Sequence, residues 1–401
     1  MSELIEQLAP EVADDDRLGP IRQRARRALM QHGFPDLKTE AWKYTSLKVL
    51  QKRSFEATEL PGSQPPELPF DAVMIHFGHG LLDPDGLDLP DGVRLEAISA
   101  SDLEDVEYGD RADAFAWLNL ACFQQAWRLV IETEQTRPLV LATTTSEAFA
   151  GSVHPRLLID VRQGASANLI ELQQDHGKGL INVVEDIELA PEARLDHHLV
   201  RRHADSVWVQ RSKVRVARDG HYQCHVLDLG GRLMRQDLAI DLTADGARGE
   251  VDGVAVINSK QHVDYHTSID HKVGQTNSRE SFRMLADGNG VGVFNGRIHI
   301  HRGADDSHSD LNTANLLLSD SARINTKPEL EIHAEEVTAS HGATIGQLDE
   351  NALFYMRSRG MSAEAATALL KLGFATEPLD NIESEPIRNW LIGRLSQALE
   401  E

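Results

Sequence analysis

The stretch from Thr326 to Gly360 reads TKPELEIHAEEVTASHGATIGQLDENALFYMRSRG, and it joins two kinds of sequence pattern. Its first half alternates apolar and polar residues, as a β-strand with one buried face does. Its second half has the periodicity of a helix. Between them, Ser340-His341-Gly342 is predicted to form a turn. The stretch therefore marks the point where a long β region gives way to a helical tail, and it holds one histidine without a catalytic partner beside it.

Upstream of this stretch, short alternating runs recur between turns of small residues. No helical pattern separates these runs, which excludes a sheet built from βαβ units. Two architectures remain open, a β-sandwich and a β-helix in which each coil buries its apolar face against the next. The spacing of the first four turns, roughly 26 to 28 residues, favours the β-helix. The turns are Gly164-Ala165, Pro191-Glu192-Ala193, Asp219-Gly220, Asp245-Gly246-Ala247 and, further on, Asp320-Ser321-Ala322.

Helical patterns precede the β region. Apolar residues recur at helical spacing between Leu18 and Leu29, and again from Asp113 to Val130, which predicts two helices. Trp42 and Tyr44 lie two residues apart in a charged setting. They either form a binding surface or anchor the N-terminal segment on the body of the protein.

Helical patterns also follow the β region. One helix is predicted to end near Gly360, a second to be capped by Ser362, and a third to begin near Pro386. Helices at the end of a β stack are expected to close its open edge. The predicted organisation is an α-rich N-terminal domain, a β core and a C-terminal helical domain, at residues 1–130, 131–348 and 349–401.

The composition limits the class of protein. The chain has 401 residues, of which 41% are hydrophobic and 26% charged, as in globular proteins. A formal net charge of −23 argues against nucleic acid as the main partner, because phosphate binding needs a basic surface. No apolar run reaches the roughly 18 residues of a membrane helix. The acidic N-terminus lacks the pattern of a secretion signal, so the expected location is cytoplasmic.

Cysteine usage and motifs disfavour most enzyme classes. Cys122 and Cys224 are the two cysteines, which excludes a disulfide framework and a CxxC metal site and predicts two buried thiols. The sequence contains no GxxxxGK[ST], HExxH or GxSxG motif. A non-enzymatic role is therefore favoured. The alternative is a β-helix enzyme acting on carbohydrate, which would carry paired carboxylates in a groove on its outer face.

Histidines of the β region offer one candidate metal site. Alternation in the run from Arg297 to His301 predicts that the isoleucines point inward and that His299 and His301 point outward. The same pattern places His333 outward. Imidazoles on adjacent coils could bind iron or zinc. The alternative is histidines scattered over a polar surface, because their spacing matches no known site.

Several motifs carry a family likeness. The run from Lys327 to Gly360, preceded by Asn315-Leu316-Leu317-Leu318-Ser319, closely resembles the SufB/SufD family of iron–sulfur cluster assembly proteins. The likeness covers nearly the whole chain. Its other parts are Gly230-Gly231, Arg235-Gln236-Asp237-Leu238, His262-Val263-Asp264-Tyr265-His266-Thr267, Phe294-Asn295-Gly296-Arg297-Ile298 and Glu40-Ala41-Trp42-Lys43-Tyr44-Thr45.

The resemblance implies a mainly β fold, a right-handed parallel β-helix between N-terminal and C-terminal α-helical domains, and thereby decides against the sandwich. It also implies a non-catalytic scaffold subunit of a cytoplasmic SufBCD complex. The chain would pair with SufB through the β-helix and dock the SufC ATPase through its C-terminal helices. The residues expected at the ATPase are Leu353, Phe354, Tyr355, Arg357, Arg359, Leu369 and Leu370.

The resemblance further implies that a nascent iron–sulfur cluster forms at the interface with SufB. His341, with Ser340 beside it, is expected at that interface, and His341 is the expected metal ligand. Ala339 stands where the family often has cysteine, so this chain would offer imidazole or carboxylate while thiolates come from the partner. The isolated chain is expected to hold no cofactor stably. A homodimer is the alternative assembly.

Overall fold

The computed structural model describes residues 2–10, 18–55, 63–106, 108–109 and 111–400. The α-helices are α1 (Ser2–Leu8), α2 (Gly19–His32), α3 (Lys48–Gln51), α4 (Ala114–Cys122), α5 (Glu350–Ser358), α6 (Ala363–Thr376) and α7 (Glu385–Glu400). Short 3₁₀ helices lie at Glu40–Trp42, Ala100–Asp102, Arg111–Asp113 and Glu377–Leu379.

Strands form most of the remaining structure. In chain order they are β1 (Val73–Gly78), β2 (Leu81–Leu82), β3 (Val93–Ala97), β4 (Ala126–Ile131), β5 (Leu139–Thr145), β6 (Ser152–Val153), β7 (Arg156–Val161), β8 (Ser166–Asp175), β9 (Leu180–Leu189), β10 (Arg194–His203), β11 (Val207–Val216), β12 (His221–Leu229), β13 (Leu233–Leu242), β14 (Arg248–Ile257), β15 (His262–His271), β16 (Asn277–Ala286), β17 (Val291–Ile300), β18 (Ser307–Leu317), β19 (Arg323–Ile332) and β20 (Val337–Gly346).

The strands wind into a parallel β-solenoid of about eight turns, which confirms the predicted β-helix. Successive strands alternate between two long sheets. The first sheet has the order β2-β1-β5-β8-β10-β12-β14-β16-β18-β20, and the second β19-β17-β15-β13-β11-β9-β7-β4-β3. Within the described ranges, the β1–β2 and β3–β4 pairs are antiparallel and the others are parallel. Strands β1 to β3 and the first five residues of β4 precede residue 131 and are part of the two sheets.

A repeated turn conformation explains the loose period of the sequence. Gly164, Glu192, Asp219, Gly246 and Gln275 occupy equivalent turns and have φ between 55° and 76°. The backbone N–H of each donates to a carbonyl of the turn in the next coil, at 2.9 to 3.1 Å. The turn therefore requires a left-handed backbone at this position, which glycine adopts most easily and a few polar residues tolerate. The repeat is one of conformation rather than of residue type.

The core lies between the two sheets. Ile298 and Ile300 are fully buried in it, as the alternation predicted. The core also contains charge: Arg201 and Asp228 are both completely buried, and the Arg201 Nε donates to Asp228 Oδ1 at 2.6 Å. The Tyr265 hydroxyl donates to the same carboxylate. Each charge has its partner on the adjoining coil, so neither is left uncompensated in the core.

The N-terminal helices cover the outer face of the second sheet. Residues of α1, α2 and α4 form one apolar cluster with Leu180, Val207 and Leu233, near the beginnings of three strands. The predicted helix from Asp113 to Val130 is wrong in its second half, because α4 ends at Cys122 and the next residues turn into β4. The buried residues Ala126, Leu129 and Val130 of β4 recur at a spacing that also fits one face of a helix.

The C-terminal helices lie along the outer face of the first sheet. Leu379, Leu391 and Leu395 form one apolar cluster with Val140, Leu172 and other outward apolar residues from seven strands of this sheet. The expectation that these helices close the end of the β stack is therefore wrong. The last coil, formed by β19 and β20, keeps most of its residues exposed or half-buried. Among the described helices, none combines the length and apolar character needed to cross a membrane.

Candidate functional site

The last strand, β20, holds the histidine of the Ser340-His341-Gly342 motif. The prediction of a turn there is wrong, because these residues lie inside the strand. Short polar residues and a glycine suit a strand here, since the parallel pairing with β18 satisfies the backbone on one side. In the described chain β20 is the terminal strand of its sheet, so its other edge has no strand beside it.

His341 continues the column of side chains that faces the core. It pairs with Leu311, which is fully buried, and it shares its face of the strand with Val337 and Ala339, which pack on the core. His341 is nevertheless exposed, because no further coil covers it within the described ranges. Ser340 points to the opposite face, where its hydroxyl donates to Asp310.

The column behind His341 contains a buried acid. Strand register places Glu280 next to Leu311 on the adjoining coil. Glu280 is fully buried, and neither of its carboxyl oxygens has a hydrogen-bond partner among the described residues. Burial raises the pKa of Glu280 to about 7. Sequence reasoning missed this acid, because it occupies an ordinary inward position of a strand.

The two thiols lie away from this edge. Cys224 is fully buried in the core, as predicted, whereas Cys122 is half-buried at the end of α4. Burial raises the pKa of both thiols to about 12. Neither thiol is a thiolate at neutral pH, so in the folded chain neither is prepared to ligate a metal ion.

The first C-terminal helices present an exposed apolar surface. Asp349 and Ser362 cap α5 and α6 by accepting from backbone N–H groups, and the cap at Ser362 confirms the prediction. Phe354, Tyr355 and Leu369 are 74%, 59% and 50% exposed. Of the remaining residues expected at the ATPase, Arg357 and Arg359 are exposed, and Leu353 and Leu370 are half-buried. Large aromatic side chains this accessible are typical of surfaces that contact another protein.

The structure brings the predicted outward histidines together on the second sheet. Asp270 of β15, His299 of β17 and Glu331 of β19 occupy the same register position on three consecutive coils. Parallel strands lie about 4.8 Å apart, so these side chains stack in one row. His301 and His333 follow two residues later and form a second row beside it. The ring centroids of His299 and His301 are 3.8 Å apart, and those of His299 and His333 are 5.4 Å apart.

Asp270 lies at the centre of this histidine cluster. Its Oδ1 atom is 3.2 Å from His299 Nδ1 and 2.9 Å from His301 Nε2. Lys272 Nζ donates to the same oxygen at 3.1 Å. Partial burial raises the pKa of Asp270, but hydrogen bonds from His301 and Lys272 lower it more, and the resulting pKa is about 2. The carboxylate is therefore ionised at neutral pH.

Three motifs that are distant in sequence form a clamp between the N-terminal segment and the solenoid. Trp42 is buried, and the Arg235 guanidinium lies 4.0 Å from its ring centroid. Arg235 Nη1 also donates to Asp264 Oδ2 at 2.8 Å and to the Ala41 carbonyl at 2.6 Å. The Thr45 hydroxyl donates to the same Asp264 carboxylate. Of the two alternatives for Trp42, the anchor is the observed one, while Tyr44 is exposed.

Comparison with known proteins identifies a family profile and several relatives that this chain resembles. The family profile described as "SUF system FeS cluster assembly, SufBD core domain" matches residues 142–374. The chain is 28% identical to the iron–sulfur cluster assembly protein SufD of Escherichia coli, over 96% of this chain and 94% of that protein. It is also 28% identical to a SufBD family protein of Synechocystis, over 99% of this chain and 93% of that protein.

A plant protein gives a shorter match. The chain is 28% identical to the chloroplastic protein ABCI7 of Arabidopsis thaliana, over 59% of this chain and 51% of that protein. The profile covers more than half of the described solenoid and includes β20 and the α5–α6 surface. The chain belongs to the SufBD family of iron–sulfur cluster assembly proteins, and along almost its whole length it is similar to a SufD protein.

Proposed function

We propose that this chain is a scaffold subunit for iron–sulfur cluster assembly, which pairs with a SufB subunit through the end of its β-helix and docks a SufC ATPase through its C-terminal helices. The family profile and the printed names of the relatives support a role in cluster assembly. The chain acts in the cytoplasm as part of a complex and does not catalyse a reaction by itself.

The edge of β20 is the observation that carries this proposal. A terminal strand presents a row of unpaired backbone donors and acceptors, and proteins usually protect such an edge with lysine, proline or a covering segment. The ten residues of β20 contain neither lysine nor proline. Ile332 and Ile345, at the ends of the last two strands, are 41% and 46% exposed. An uncharged and uncovered edge of this length suits pairing with a strand of another subunit.

The position of His341 supports a role at the interface formed there. A subunit that adds its own coil beyond β20 would cover His341 and bring it into the joint core. Its imidazole is then the ligand that this chain contributes to a nascent cluster, which is cargo of the complex. Ala339 offers no donor atom, and the thiols of Cys122 and Cys224 are remote. The thiolate ligands that a cluster requires come from the partner.

The α5–α6 surface suits the ATPase. Its exposed aromatic residues stand beside Arg357 and Arg359, which gives an apolar centre with a basic rim. Arg359 is held by Tyr355, whose hydroxyl accepts from Nη2 at 3.2 Å. Because only three residues separate the end of β20 from the start of α5, movement of a docked ATPase would act on the strand that holds His341. Nucleotide-driven movement of SufC would thus reach the SufB interface mechanically.

Co-expression with SufB and SufC from the same organism tests the proposal. The full-length chain should co-purify with both subunits, and the mass in solution should exceed that of the isolated chain. The isolated chain should be inactive on polysaccharides. The alternative, a carbohydrate enzyme, predicts activity in the same assay. A chain that remains alone or forms only a homodimer in the presence of SufB and SufC would overturn the proposal.

A further inference from the structure

The histidine cluster on the second sheet contains no residue of β20 or of the α5–α6 surface, and its outermost members, Glu331 and His333, lie at the end of β19 in the last coil. It sits at the C-terminal ends of β15, β17 and β19, on the outer face. The N-terminal helices pack near the beginnings of the strands of this sheet, and the C-terminal helices pack on the other sheet. The cluster therefore remains accessible in the described chain.

From this geometry we infer that Asp270, His299 and His301 form a binding site for a divalent transition-metal ion. The three side chains offer one ligand atom each, and these atoms lie within 4.8 Å of one another. Two imidazoles and one carboxylate are a ligand set for Fe²⁺, Zn²⁺ or Co²⁺, and they leave further coordination positions for water or another ligand. Mg²⁺ and Ca²⁺ favour sites made only of oxygen.

The ammonium group of Lys272 shows that a positive charge is favoured beside Asp270 and His301. Its Nζ atom is 3.1 Å from Asp270 Oδ1 and 3.3 Å from His301 Nε2, so the ammonium group contacts two of the three ligand residues. An ammonium group cannot bond to an imidazole lone pair as strongly as a metal ion does. Because the Lys272 side chain is 37% exposed, it can move into solvent when a metal ion takes its place.

Neighbouring groups orient the ligands. Arg297 Nη2 approaches Asp270 Oδ2 at 3.5 Å and also donates to Ser268 Oγ at 3.1 Å, which leaves Oδ1 for the cluster. Such outer contacts hold a ligand in place and tune its affinity.

A second group shares His299 and adds Glu331 and His333. The side chains of Glu331 and His333 are 48% and 54% exposed, against 11% for Asp270 and 16% for His299. The group around Asp270 is therefore the better ordered of the two, and it is the one that we assign.

Titration of the full-length chain with Co²⁺ under anaerobic conditions, followed by visible absorption, tests this site. We expect one Co²⁺ per chain, displaced by Zn²⁺ and not by a large excess of Mg²⁺. His301→Gln and Asp270→Asn should each weaken binding by about tenfold or more. Lys272→Ala should strengthen binding several-fold, because it removes a competing cation. His308→Ala, which alters an exposed histidine of the first sheet, is the matched control and should bind as the unchanged chain does.

Three outcomes would overturn the inference: no Co²⁺ binding, binding that survives His301→Gln, or a larger loss with His333→Ala than with His301→Gln. His301 is part-exposed, so its replacement should leave the fold intact, and circular dichroism checks this. Failure here leaves the proposed subunit function untouched, because the β20 edge and the α5–α6 surface do not involve these residues.

Discussion

His341 stands directly across from Leu311 in the last parallel strand pair, at the point where the column of core-facing side chains reaches the end of the β-helix. Leu311 is fully buried because β20 covers it, whereas His341 is exposed. The alternation that places side chains in the core thus also places the imidazole of His341 at the edge of β20, where no further strand covers it in the described chain. In that position a side chain contributes little to the stability of the single chain and is available to a subunit that extends the sheet.

Replacement of His341 by alanine should reduce cluster formation without preventing the pairing of the subunits. We expect the variant to fold and to pair with SufB, because an exposed side chain makes few contacts in the isolated chain. Cluster formation in the complex should fall severalfold or more, since one ligand is lost. Iron and sulfide content and visible absorption of the complex measure this effect. His308→Ala serves as the control, and an undiminished cluster yield with His341→Ala would remove His341 from the site.

Loss of the exposed aromatic residues of α5 should weaken the ATPase contact alone. In the double variant Phe354→Ala and Tyr355→Ala, binding of SufC should weaken by at least about tenfold, because aromatic anchors dominate the energy of protein interfaces. Pairing with SufB and the unfolding temperature should not change. Calorimetric titration with SufC measures the effect. Met30→Ala, an exposed apolar residue of α2, is the control, and equal binding by both variants would contradict the assignment.

The clamp between Arg235 and Trp42 should be important for stability. Arg235→Ala leaves the buried Asp264 carboxylate without its cation, which typically costs about 3 to 5 kcal/mol. We expect a lower unfolding temperature and easier proteolysis of the N-terminal segment. Arg302→Ala, which alters an exposed arginine, should do neither. Equal unfolding temperatures of the two variants would show that the clamp is not needed to hold the segment.

Glu280 should make the stability of the chain depend on pH. Its pKa is about 7 in the folded state and close to 4.5 in the unfolded chain, so the folded state binds more protons between these values. Stability should therefore fall as the pH rises from about 4.5 to 7, and the full cost, roughly 3 kcal/mol, applies above pH 7. Glu280→Gln should remove this loss. Urea unfolding at pH 5 and pH 8 compares the two chains.

Glu134→Gln, at an exposed position, provides the control for this experiment and should keep the pH dependence of the unchanged chain. If Glu280→Gln and the unchanged chain lost the same stability between pH 5 and pH 8, the acid would not be the source of the effect.

The repeat favoured the solenoid over a sandwich, the family resemblance decided between the two, and the alternation of residues predicted the direction of His299 and His301. The repeat and the alternation are both local signals, because the alternation within a single strand identifies which of its side chains face the core. The turns were also found correctly, although their residues differ, since in the first four only a left-handed backbone at one position is required. The turn predicted at Ser340-His341-Gly342 was wrong because serine and glycine are also compatible with an edge strand.

The register between neighbouring coils could not be predicted from the sequence. Asp270 meets His299, and Arg235 meets Trp42, only because residues far apart in sequence stack at equal positions or pack across the sheet. The same holds for Arg201 and Asp228 in the core. The location of the C-terminal helices was mispredicted for a related reason: the outward apolar residues of the first sheet, such as Val140 and Leu172, are distributed over seven strands and form a surface only after the coils stack.

The mass of the complex formed with SufB by a chain blocked at β20 tests the central claim most directly. Ile345→Lys places a charge on the same face of the terminal strand as His341, where Ile345 is exposed, and Leu81→Lys places the same charge on the exposed Leu81 at the opposite end of the same sheet. After co-expression with SufB, light scattering should show a one-to-one complex for the unchanged chain and for Leu81→Lys, and a single subunit for Ile345→Lys. An intact complex with Ile345→Lys would contradict pairing through the end of the β-helix.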